Sequence, residues 1–271
     1  THLDISAESL HIAAERAALL NYSEPELRFV RQSLTASVDD LRSAVGTTFD
    51  YIDCVGVLMA TVDPGHCLRN LRALLRPKGG MGLMVYGARG RAPVYQLRRS
   101  MQLLGSARGV LRQASAGPHT QLPLLRRILK SGPNFWARAA KLDHHSEYSD
   151  TALADTYLHP VDRAYTVREL FELVAGADLR ITSFTVPLEY RAASLFDTRS
   201  AANAIERRSR RLPWVAQLEL GEEMDGTLER HEFFAVARDS LVSPPRPWSK
   251  PSYILVPRAP TDWLRSSVAP G

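Results

Sequence analysis

The chain has 271 residues, enough for one large α/β domain with an insertion or for two small domains. Apolar residues make up 45% and charged residues 23%, the ordinary balance of a soluble globular protein, and no apolar run approaches a membrane span. The net charge of +5 comes from arginine, since only Lys78, Lys130, Lys141 and Lys250 are lysines; such a bias follows genome composition and is weak evidence for nucleic acid binding. The opening residues do not read as a signal peptide, and none is expected. Cys54 and Cys67 sit in or beside predicted core elements and are read as reduced thiols of a cytoplasmic protein.

The chain opens on the end of a strand, His2-Leu3-Asp4-Ile5. Ser6 can cap the helix that follows, with Leu10, Ala13, Ala14, Ala17 and Leu20 as its apolar stripe. Residues 27–34 alternate well enough for a second strand. Residues 49–58 then read as a buried strand, followed by a loop. Asp63 is placed to cap a helix with Pro64 at its first position, and Leu68, Leu71, Leu74 and Leu75 recur at helical spacing. Pro77 and the Gly79-Gly80 pair stop that helix before a strand at 81–86. This is a βαβ unit, so its two strands should be parallel neighbours, with ligands expected at their carboxyl ends.

Ala92-Pro93 begin a helix whose buried stripe is Val94, Leu97, Met101 and Leu104, with Gly105 at its end. Residues 106–160 break the βαβ rhythm with helical pieces and no clear strand; they are read as an insertion over the carboxyl edge of the sheet. Thr166 to Glu169 form a capping box for the next helix. Strands are expected near 179–186 and 231–238, with an antiparallel pairing. From residue 241 to 271 the sequence is a proline-rich tail. The arginines at 98, 99, 108, 112, 126 and 127 with Lys130, and the arginines at 207, 208, 210 and 211, read as two solvated helix faces.

Taken together, HLDISAESLHIAAERA, LRFVRQSL and FDYIDCVGVLMATVDPGHCLRNLRALLRPKGGMGLMVYG resemble the class I S-adenosylmethionine-dependent methyltransferases. The LLRPKGGMGLMVYG run is the most specific part. The likeness extends through Asp155–Pro160, Tyr165–Val167 and HEFFAVARD, and so covers residues 1–240. It implies a Rossmann-like, mostly parallel α/β sheet with a C-terminal antiparallel strand pair and a helical insertion. The family's first strand and its glycine-rich loop are missing from the sequence. That strand belongs at the centre of the sheet, so the resemblance implies an N-terminally truncated fold whose strands near Leu3 and Ile52 do not pair.

The resemblance also implies roles. Asp4 would hold the ribose hydroxyls of S-adenosylmethionine, with Ile5 beside it. Ser33 and Leu34 would flank the adenine, and Cys54, Val55 and Gly56 would line the methionine end. Met59 stands where many relatives carry a histidine. Arg89, Tyr95, Tyr157, His159 and Tyr165 are candidates for contact with the methyl acceptor, and Arg89 or Arg91 could hold an anionic one. Methyl transfer from a sulfonium is an in-line displacement that draws much of its rate from proximity, so no fixed catalytic set is required. Where a base is needed, His159, Asp155 or His145 could serve, and the sequence does not choose among them. Asp143, His144, His145, Glu147, Asp150, Asp155 and His159 invite a metal reading. Adjacent histidines face different sides of a helix, so no metal is expected.

The expected activity is methyl transfer to a small molecule or a protein side chain. The alternative is a catalytically inactive methyltransferase-like binding or scaffold module. A nicotinamide-dependent oxidoreductase shares the acidic residue after the second strand, but the LLRPKGG turn and the C-terminal strand pair argue against it. The chain carries no Asn/Asp-Pro-Pro-aromatic tetrapeptide, so nucleic acid is not the expected partner, and neither is a membrane.

Overall fold

A computed structural model describes residues 1–22, 27–106, 121–131 and 142–241. Strands β1 (His2–Asp4) and β2 (Phe29–Arg31) pair in parallel, with Leu3 opposite Val30. Helix α1 (Ala7–Leu19) runs between them, and the Ser6 hydroxyl accepts the Ser9 N–H at its first turn. A helix that the apolar spacing did not reveal, α2 (Val38–Val45), starts at the Ser37 cap and stops at Gly46. Its Leu41 and Val45 pack with Leu74, and Leu3, Phe49 and Ile52 lie against this cluster. Leu3 belongs to one sheet and Ile52 to the other, so α2 joins the two.

The expected βαβ unit is present as β3 (Phe49–Val55), α3 (Pro64–Leu74) and β4 (Leu75–Gly87). The Asp63 carboxylate accepts the His66 N–H at 2.8 Å, and Pro64 opens α3, where a missing N–H costs nothing. The strands are parallel, with Ile52 opposite Met81. Two expectations need correction. β4 begins at Leu75, not near residue 81, and its register against β3 shifts between Phe49 and Tyr51. Pro77 lacks a ladder donor, and the shift accommodates it. Nor is β3 buried throughout or as long as expected. It ends at Val55, and Tyr51 and Val55 are each more than half exposed. The reason is its position: β3 pairs with β4 on one side only.

Strand β5 (Ala164–Tyr165), which the sequence did not suggest, extends the carboxyl end of β4 in parallel. After α4 (Ala92–Ser106), α5 (Leu122–Ser131) and α6 (Asp150–Leu153) comes α7 (Val167–Ala175), then β6 (Leu179–Phe184). Helices α8 (Arg199–Ser209) and α9 (Trp214–Asp225) fill the long connection to β7 (Arg230–Ala237). β7 lies antiparallel between β4 and β6, giving the order β3-β4-β7-β6. No ladder joins β1 to β3 among the described residues, as the sequence led us to expect.

The main core lies between this sheet and its helices, around Leu68, Met81, Val85, Leu170, Ile181 and Phe233. A second core sits over the carboxyl end of β4. It is built by Val94, Leu97 and Met101 of α4, Leu122, Leu125 and Leu129 of α5, and Leu153 and Tyr157. The proline-rich segment from 242 onward lies outside the described residues. Among the described residues, no helix is long and apolar enough to cross a membrane.

Helix α7 carries the capping box. The Thr166 hydroxyl accepts the Glu169 N–H, and the Glu169 carboxylate accepts the Thr166 N–H at 2.9 Å. Burial acts to raise the Glu169 carboxyl, but the Thr166 and Arg163 hydrogen bonds outweigh it and hold it below the usual range. Thr166→Ala is expected to cost about 1 kcal/mol of stability, read from the urea midpoint. Because the Glu169 pKa is lowered on folding, its own contribution is present above the unfolded carboxylate pKa. That contribution fades as pH falls through the lowered value. A midpoint unmoved by Thr166→Ala would show that the Glu169 N–H finds another acceptor.

Candidate functional site

Asp4 ends β1. One carboxylate oxygen accepts the Ser6 N–H at 2.7 Å, which fixes the side chain at the entry to α1. The other oxygen makes no hydrogen bond among the described residues, and Asp4 lines an open groove of about 700 Å³ with Ile12, Arg16 and Phe29. Ile5 beside it is two-thirds exposed. Beyond β2, the Ser33 hydroxyl bonds the Thr35 hydroxyl at 2.7 Å. Leu34 packs on the main core, and its carbonyl accepts the buried Asn70 amide at 2.8 Å.

Cys54 and Leu58 are in the main core, as a buried strand over 49–58 implies; the loop expected after Leu58 is not free of core, because Met59 is buried there too. Burial pushes the Cys54 thiol up to about 12, with Asp53 and then Cys67 adding to the shift, so it stays neutral. Val55 faces solvent, and Gly56 turns the chain at φ +76°, a conformation that favours glycine. The 3-10 turn Leu58–Ala60 follows.

The ends of β3, β4 and β5 converge here. The Arg163 N–H donates to the Met59 carbonyl, and the Ala88 N–H to the Tyr165 carbonyl. The Tyr95 hydroxyl donates to Asp162 at 3.0 Å. Arg98 is buried; its guanidinium lies 3.4 Å from the buried Asp162 carboxylate and donates to the carbonyls of Thr156 (3.1 Å) and His159 (2.7 Å). Burial first, and Asp162 second, push the Tyr95 hydroxyl well above the ordinary phenol range. Burial does the same for Tyr157, whose hydroxyl bonds His145 Nδ1 at 2.6 Å. Tyr165 is buried, with its hydroxyl unpartnered among the described residues and the Arg163 guanidinium over its ring.

The structure thus brings Met59, Tyr95, Tyr157, His159 and Tyr165 around one edge, with different degrees of access. Arg89 pairs with Glu223. His159 Nδ1 accepts the nearby Val161 N–H, and Asp155 is exposed. His145 is buried, stacked on Tyr148. The residues that tie the edge together are Arg98 and Asp162; the sequence reading gave Asp162 no role and placed Arg98 on a solvated helix face, which the structure corrects, because Arg98 is buried against Asp162. The one signal was helical spacing: Tyr95 and Arg98 stand three apart and share a face. Among the described residues, no group of three or more His, Cys, Asp or Glu could hold a metal. The side chains of Asp143 and His144 lie outside the described residues.

No family model matches the chain. An uncharacterized protein of Synechococcus sp. is 29% identical over 259 residues, covering 94% of this chain and 58% of the relative. The chain therefore spans a little over half the length of that curated relative. Among solved structures, PKMT2 from Rickettsia typhi superposes with a TM-score of 0.60 at 18% identity, over 87% of this chain and 43% of PKMT2. The complex of PKMT2 with AdoHcy matches with the same score over 88% of this chain. The chain has the Rossmann-like α/β fold of the class I S-adenosylmethionine-dependent methyltransferases.

Proposed function

We propose that the chain contributes the cofactor and acceptor edge of an S-adenosylmethionine-dependent methyltransferase acting on a small molecule or a protein side chain. The observation that carries this reading is the fold shared with PKMT2, a protein solved with AdoHcy. The antiparallel β7 between β4 and β6 speaks against the nicotinamide reading.

The residues present fit part of the cofactor. Asp4 keeps one carboxylate oxygen free at the end of β1, as a ribose diol requires. Cys54 offers a neutral thiol, and Gly56 a backbone turn without a side chain, near the end of β3. When bound, the cofactor would supply the electrophilic methyl group. The chain's own part is to hold the cofactor and to orient the acceptor. The acceptor would lie between Met59, the Arg89–Tyr95 turn and residues 155–165. This reading also calls for a glycine-rich turn after a strand between β1 and β3, which no ladder joins among the described residues.

Calorimetric titration of S-adenosylmethionine into the intact protein tests it. Asp4→Ala should weaken binding by about 1–3 kcal/mol, the loss of hydrogen bonds to a charged acceptor. Asp4→Asn keeps an acceptor for the Ser6 N–H and should still lose most of that affinity. Unchanged binding in both variants would discard the cofactor assignment.

A further inference from the structure

Four arginines stand at the carboxyl edge, and three have partners. Arg89 pairs with Glu223, Arg163 with Glu169 at 3.0 Å, and Arg98 with Asp162 and two carbonyls. Arg91 does not. Its guanidinium carbon lies 3.6 Å from the centroid of the Tyr86 ring, and its Nε and Nη2 are both buried with no hydrogen-bond partner. No carboxylate of the described residues pairs with it. Asp162 is taken by Arg98 and Tyr95, while Asp155 and Glu229 act on the neighbouring tyrosines only through space. Tyr86, Tyr95 and Tyr157 all feel the Arg91 charge.

Two buried guanidinium donors without a partner are costly. Nε–H and one Nη–H point the same way, as the fork that takes two oxygens of a planar anion side by side. The donors are already out of water, so an anion reaching them meets bonds that solvent does not compete for. Tyr86 holds one face of the guanidinium and limits its rotation.

We propose that Arg91 is an anion-binding residue that takes a carboxylate or phosphate group of the methyl acceptor, against a wall of tyrosines. The word acceptor rests on the methyl-transfer reading; the anion site itself rests on the geometry of Arg91. Benzoate, phenyl phosphate and the neutral benzamide serve as probes. Each is titrated into the intact protein and followed by thermal shift and by ligand-observed NMR.

Benzoate or phenyl phosphate should bind and raise the melting temperature, while benzamide should do neither. The tighter of the two anions identifies the group as carboxylate or phosphate. Arg91→Met should weaken the preferred anion at least tenfold. Arg91→Lys should weaken it too, because an ammonium keeps the charge and loses the fork, and it covers the case in which the methionine variant does not fold. Arg99→Met, on the exposed face of α4, should leave anion affinity unchanged. Benzamide binding as well as the anions, or either Arg91 variant binding them like the wild type, would overturn the proposal. Titration of S-adenosylhomocysteine on the same samples separates the two readings. Anion binding without cofactor binding removes methyl transfer and keeps the site, and cofactor binding with an indifferent Arg91 removes only the site.

Discussion

His231→Ala is expected to destabilise the protein by roughly 3–5 kcal/mol, more than most single substitutions. His231 is fully buried on β7. Its Nε2 lies 2.8 Å from the Tyr165 carbonyl, which can only accept, so Nε2 carries the proton. Nδ1 then accepts the Tyr190 hydroxyl at 2.8 Å. Glu222 Oε1 is 3.4 Å from Nε2 but is left without a hydrogen bond, and the other Glu222 oxygen accepts the Val167 N–H at 2.9 Å. Removing the imidazole strands the buried Tyr190 hydroxyl, takes one of two donors from the Tyr165 carbonyl, which keeps the Ala88 N–H, and leaves a cavity; the unsatisfied hydroxyl alone costs about 1–3 kcal/mol and the cavity adds to it. Chemical denaturation measures the sum. A loss under about 1 kcal/mol would mean that water or a neighbour repairs the network. The effect reaches the candidate site, because the carbonyl that His231 holds belongs to Tyr165, at the acceptor edge.

Gly90→Val should be nearly as damaging. A Cβ on Gly90 would lie 2.4 Å from the Leu228 carbonyl carbon and the Thr227 oxygen, and 2.6 Å from the Glu229 nitrogen. All three are backbone atoms, so no rotamer change relieves the contact, and the turn between β4 and α4 must move. Overpacking of this kind costs about 1–3 kcal/mol or more. That turn carries Arg91, so the variant should also lose affinity for benzoate or phenyl phosphate, whichever the wild type prefers. A stability curve and a probe titration matching the wild type would show that the turn has room that the structure does not show.

Local signals were legible wherever a residue acts on its immediate neighbours. Asp63 with Pro64 and Thr166 with Glu169 mark helix starts by chemistry confined to one turn, and both are in place. The apolar spacing of 64–75 and the run around Met81 gave the βαβ unit. Short elements were not legible. β5 has two residues, and α2 has three charged side chains in eight residues, so neither carries a hydrophobic period long enough to read. Helix α9 was missed, and α8 was read only as an arginine-rich helix face at 207–211, because α8 is held by arginine and glutamate pairs, such as Arg210 with Glu206, and not by a clear apolar stripe.

The site divides along the same line. Asp4 at a strand end is a position along the chain, and the sequence supplied it. That Arg89 is neutralised by Glu223 while Arg91 is not depends on a contact spanning 134 positions, and nothing near residue 90 encodes it. His145 and Tyr157 meet because the lobe over β4 folds them together, and Arg98 finds Asp162 in the same way. What the sequence determined by itself is therefore the βαβ unit, the capped helices and the order of the longer strands, through periodicity and capping that act over a few residues. Which polar groups share a buried space, and which cation there keeps its donors empty, only the tertiary structure decided. Burial and pairing depend on distance in space, and distance along the chain does not report it.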